Sequence, residues 1–79
     1  MEDYTFVDNS VVITNDVERT SIVVVLTHVD GMAGEEIPAW KVWAWKDGEE
    51  VFVNLRYTLQ SAIRDAKDAL QAGADHGTS

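Results

Sequence analysis

Between residues 37 and 55 the chain reads IPAWKVWAWKDGEEVFVNL, two alternating runs on either side of Asp47-Gly48. Asp-Gly favours a two-residue type I′ turn, because glycine accepts positive φ without steric cost. With that turn, Lys46 faces Glu49, Ala44 faces Val51, Val42 faces Val53 and Trp40 faces Leu55. The period of two then sorts the hairpin into two faces. One carries Trp40, Val42, Ala44, Val51, Val53 and Leu55, is wholly apolar, and is expected in the core. The other carries Lys41, Trp43, Trp45, Glu50, Phe52 and Asn54. It sets three large aromatic rings among polar groups and is the main functional clue.

The same pattern, followed from the start of the chain, predicts three earlier strands. Residues 4–7 form a short β-prone run, Asp8-Asn9-Ser10 are turn formers, and residues 11–14 supply the second strand of a hairpin. Residues 15–19 are polar enough for a turn. Residues 21–29, SIVVVLTHV, form the strongest strand. Ile22, Val24 and Leu26 point one way and Val23, Val25 and Val29 the other, as in a central strand covered on both sides. Residues 30–38 hold Gly31, Gly34 and Pro38 and read as a loop. Beyond the hairpin the period changes to that of a helix. Thr58 is a suitable N-cap, and Leu59, Ile63, Ala66 and Leu70 recur on one stripe widened by Ala62 and Ala69. Gln60, Arg64, Asp65, Lys67, Asp68 and Gln71 fill the opposite face, with Arg64 and Asp68 spaced for an i,i+4 pair. Gly73 is expected at C′, followed by a frayed tail.

The fold class is therefore α+β: an antiparallel β-meander of about five strands, then one C-terminal α-helix packed on one sheet face. A single domain spans residues 1–73, with a flexible tail over 74–79. One helix covers one side of a sheet, yet the later strands are apolar on both. Each buried aromatic ring contributes on the order of 2–3 kcal/mol, so Trp43, Trp45 and Phe52 call for a lid. A second subunit, a protein partner or curling of the sheet would supply it. A homodimer through this aromatic face is the expectation.

Charge narrows the partners. Fourteen acidic against six basic residues give a net charge of −8. Such a chain repels nucleic acid, whose binders carry a basic footprint, and repels anionic membranes as well. The longest apolar run, residues 22–26, is far too short to span a bilayer. The opening MEDYTF lacks the basic-then-apolar order of a signal peptide, and the chain has no cysteine, so a cytoplasmic protein is expected. In an up-and-down meander the second and fourth turns fall at one end. That end collects Asp16, Glu18, Asp47, Glu49 and Glu50 against Arg19 and Lys46, and suits a protein partner with a basic surface. Asp8, Asp30, Glu35 and Glu36 gather at the other end.

Catalytic chemistry is sparse. The sequence contains no phosphate-binding glycine loop, no nucleophile elbow and no cysteine nucleophile. His28 and His76 lie far apart, without carboxylates at ligand spacing. Glu35-Glu36 and Glu49-Glu50 are adjacent pairs, and adjacent strand residues point to opposite faces, so neither forms a converging acid/base dyad. The expectation is a non-enzymatic binding protein without cofactor or metal.

One local likeness adds to this. Tyr4-Thr5-Phe6, then Asp8-Asn9-Ser10-Val11 and Ile13, resembles the first hairpin of small acidic phage-encoded anti-CRISPR proteins. The resemblance implies an inhibitor of a nucleic-acid-handling surveillance complex that acts by DNA mimicry, with Asp8 contributing negative charge. Those inhibitors flank their sheet with helices at both ends, whereas this chain has room for only the C-terminal one.

Overall fold

A computed structural model describes residues 2–78, with side chains described as far as Ala72. The chain forms β1 (Glu2–Val7), β2 (Ser10–Asn15), β3 (Thr20–Asp30), β4 (Glu36–Lys46), β5 (Glu49–Arg56) and α1 (Leu59–Thr78). The strands make one antiparallel sheet in the order β1-β2-β3-β4-β5, and α1 packs across β3, β4 and β5 on one side. This is the expected meander with a C-terminal helix.

The turns follow from local chemistry. Asp47 and Gly48 have φ of 53° and 82°, the two positive values that a type I′ turn requires, and Lys46 faces Glu49. Asp8 opens the β1–β2 turn at φ 50°, and Arg19 closes the β2–β3 turn at φ 57°. In that second turn Asn15 Oδ1 accepts the Glu18 amide at 3.1 Å, an Asx-type contact that stands in for a backbone bond.

Two stretches depart from expectation. β3 and β4 pair as far as Asp30 and Glu36, so the expected loop over 30–38 shrinks to residues 31–35. Pro38 lies inside β4 opposite His28. β5 ends at Arg56, opposite Trp40, so at Pro38 the β5 side of β4 is a free edge, where a missing N–H is tolerated. The second departure matters more. The β4–β5 register shifts by a bulge at Ala44/Trp45: Trp45 faces Glu50, but Ala44 faces Phe52, and Val51 is the extra residue. A one-residue slip exchanges the faces of everything beyond it. Phe52, Asn54 and Arg56 turn to the helix side, while Val53 and Leu55 turn away from it, opposite Trp43 and Lys41. Phe52 therefore does not share a face with Trp43 and Trp45, and Val53 and Leu55 are not core.

The core lies between sheet and helix. Val11, Ile13, Ile22, Val24, Val42 and Ala44 meet Ala62, Ala66 and Leu70, with Trp40, Phe52, Leu59 and Ile63 packed around them. Ala62 and Ala66 are fully buried, and their small side chains let the helix sit close upon the strands. Thr58 caps the helix: its Oγ1 accepts the Ser61 amide at 3.1 Å. Asp65, expected on the solvent face, is only half-exposed. It accepts a 2.5 Å hydrogen bond from Arg56 Nε and lies 3.7 Å from Arg64, which is thereby engaged with Asp65 rather than with Asp68. The helix passes through Gly73 to Thr78, so Gly73 does not end it. The expected tail over 74–79 falls where side chains, and at residue 79 the backbone too, lie outside the described residues.

Candidate functional site

Cross-strand register assembles the side away from the helix into rows. Thr5, Val12, Val23, Trp43 and Val53 face one another in turn across all five strands. On one side of this row lie Asp3, Thr14, Ser21, Trp45 and Glu50, and on the other Val7, Ser10, Val25, Lys41 and Leu55. Among the described residues no second layer of the fold lies over this face. Val51, Val53 and Val7 are 43%, 48% and 54% exposed, and Trp43, Trp45, Val12, Val23, Val25 and Leu55 are half-buried by one another. Lys41 Nζ sits 5.2 Å from the Trp43 ring, a cation–π contact at the centre of the face.

The bulge makes this open face more apolar than the sequence pattern implied. It trades Phe52 and Asn54 for Val53 and Leu55. Of the twenty charged residues in the chain, the three rows hold only Asp3, Lys41 and Glu50. Trp43, Trp45 and Glu50 are thus brought together as expected, and Phe52 is not among them. Sequence reasoning assigned Val51, Val53 and Leu55 to the core. The one available signal against that assignment was Arg56, whose parity with Phe52 turns both inward once Arg56 pairs with the helix.

The acidic end is assembled as well. The Asp47 amide donates to the Arg19 carbonyl at 2.9 Å, tying the β2–β3 turn to the β4–β5 turn. Arg19 Nη1 lies 4.0 Å from Asp47 Oδ1, with both side chains largely exposed, so the pair contributes little to stability. Asp16, Glu18, Asp47, Glu49 and Glu50 stand at this end, all exposed, with the solvent-exposed Val17 between the first two. Glu50 belongs to both regions, since it ends the row of Trp45.

β1 is held beside the helix by a small polar cluster. The Tyr4 hydroxyl donates to Glu2 Oε1 at 2.9 Å, and Lys67 Nζ donates to both, at 3.2 and 3.1 Å. The Tyr4 hydrogen bond, then that from Lys67, holds the Glu2 carboxyl below its usual range, while Tyr4 and then Glu2 raise the Lys67 ammonium. Tyr4 and Phe6 stack at 6.5 Å between ring centroids and stay exposed beside the helix.

Cavities are small. One of about 180 Å³ opens between the helix and the ends of the strands, floored by Ile13, Ile22 and Leu70 and rimmed by Glu2, Glu18, Lys46 and Lys67. That is below the roughly 300 Å³ at which pockets enclose a drug-sized ligand. Among the described residues no three His, Cys, Asp or Glu side chains converge as metal ligands, and no helix is long and apolar enough to cross a membrane. No family model, no curated protein and no solved structure matches this chain.

Proposed function

We propose that this protein is a non-enzymatic binding protein, working in the cytoplasm, that recognises another protein through its open sheet face. The observation that carries the reading is the row of Val12, Val23, Trp43 and Val53. It is a continuous apolar surface on the one side of the sheet with no helix over it, in a chain where charge abounds elsewhere. Charge depletion with aromatic enrichment is the compositional mark of an interface core, and tryptophan anchors dominate binding energy when they are desolvated. Lone exposed valines would need no explanation, whereas a contiguous patch of this kind does.

A second reading is favoured by the hydrogen bond between Asp47 and Arg19, which holds two acidic turns together. Asp16, Glu18, Asp47, Glu49 and Glu50 would then engage a basic groove that ordinarily holds nucleic acid, in the manner of an acidic phage-type inhibitor of the anti-CRISPR kind. The two readings separate in one binding experiment with immobilised protein. A partner kept by Asp47→Lys/Glu49→Lys and lost by Trp43→Glu supports the open face. The reverse pattern, with binding that falls steeply as salt rises, supports the acidic end. A partner indifferent to both changes refutes both.

A further inference from the structure

We propose that the open face pairs with the same face of a second copy of this chain. The two sheets would form a two-fold sandwich whose axis runs along the row Thr5–Val12–Val23–Trp43–Val53. This inference rests on the reading of the open face as a docking surface and names its occupant.

Charge is the first argument. Two copies of a chain with net charge −8 repel one another over most of their surfaces. The three open-face rows carry one cation and two anions, so this side offers the least repulsive approach. A partner with a basic surface would find little to recognise there, since Asp3 and Glu50 stand at the margins and the central charge is Lys41. Self-pairing needs no opposite charge from outside.

Area is the second argument. About that axis roughly seven residues of each of β3, β4 and β5 and about five of each of β1 and β2 overlap their counterparts, a face on the order of 500 Å² per copy, or about 1,000 Å² in all, the least that a specific interface buries. Sheets that stack face to face lie about 10 Å apart with their strands within roughly 30° of alignment, which flat rows of valine and tryptophan permit.

Register supplies the third argument. A two-fold along the Trp43 row exchanges the rows on either side of it. Lys41 of each copy, already over Trp43 of its own chain, then lies above Trp45 of the other and beside its Glu50, so pairing adds an ion pair and a second aromatic neighbour, made twice. The same axis runs the facing strands antiparallel, so the Asp16, Glu18 and Asp47 ends of the two copies stand apart instead of lying one over the other.

Sedimentation of the purified protein over a range from sub-micromolar to several hundred micromolar tests this. The expected result is a monomer–dimer equilibrium in which Trp43→Glu raises the dissociation constant about thirty-fold or more, as loss of an interface anchor does. Lys41→Glu should raise it about ten-fold, and Lys41→Glu combined with Glu50→Lys should return it to within about three-fold of the parent, because the pair is restored with its signs exchanged. Circular dichroism checks that the variants fold; should Trp43→Glu unfold, the charge-exchange series decides alone. A monomer at every concentration overturns the proposal, as does a dimer that ignores both Trp43→Glu and the charge exchange. Neither result sinks the broader reading, which is judged on retention of an unlike partner by the same Trp43→Glu variant.

Discussion

Replacing Phe52 by alanine tests the bulge on which the composition of the open face depends. In a regular hairpin Phe52 would stand beside Trp43 and Trp45, largely wet, and its truncation would cost the fold little. With the register shifted at Ala44/Trp45, Phe52 packs on the cluster under the helix. Full truncation of a buried Phe costs about 3–5 kcal/mol, transfer and cavity terms together. Phe52 keeps part of its surface in water, so about 2–3 kcal/mol is expected. A chain of this size holds roughly 4–12 kcal/mol in all, which makes that loss a large share. With a urea m-value of about 1 kcal/mol per molar, the denaturation midpoint should fall by about 2–3 M. The assay belongs at low and equal protein concentration, since self-association would add stability by mass action. Val53→Ala is the matched control, because Val53 is 48% exposed, and it should cost under about 1 kcal/mol. Equal losses, or a larger loss at Val53 than at Phe52, would refute the shifted register.

Three further outcomes follow from the same packing. Leu70→Ala should cost about 2–4 kcal/mol and Ile63→Ala about half as much in the same denaturation assay, since Leu70 is buried and Ile63 only partly so. The hydrogen bond from Arg56 holds the Asp65 carboxyl below its usual range. Its contribution is therefore complete above the ordinary carboxylate pKa, near ~4, and is lost as pH falls through the lowered folded value. Asp65→Asn should be less stable than the parent at pH 7, and the gap should narrow on acidification, as followed by thermal melts from pH 7 to 2. Gly48→Ala meets no neighbouring atom but forces a side chain onto φ 82°, so a loss of about 1 kcal/mol is expected, with Gly48→Asn milder.

Much of this fold was legible because its signals are local. Asp47-Gly48 placed the β4–β5 turn, Thr58 placed the helix start, and the spacing of Leu59, Ala62, Ile63, Ala66 and Leu70 gave the stripe that meets the sheet. The coincidence of the two acidic turns followed from meander topology alone. What escaped was decided by tertiary contacts. A bulge is hard to read from a run such as EEVFVNLR, whose apolar parity, Val51, Val53 and Leu55, points to the wrong face beyond it; Arg56 seated against Asp65 and Phe52 packed on the core override that pattern. Pro38 reads as a loop residue, and only the short reach of β5 opens the edge that accommodates it. Asp65 looked solvent-facing by helical angle, yet its partner comes from the preceding strand rather than from the helix.

The claim at the centre of this account is that the face bearing Trp43 and Trp45 is open in the single chain and closed by association. Iodide quenching of tryptophan emission in a Trp40→Phe variant reports that face alone, since Trp40 is the only other tryptophan and lies on the helix side. Easy quenching with red-shifted emission is expected at sub-micromolar concentration, giving way to protected, blue-shifted emission as concentration rises through the dimer transition. Protected emission that stays constant down to the lowest concentration, in a chain that sediments as a monomer, would contradict it.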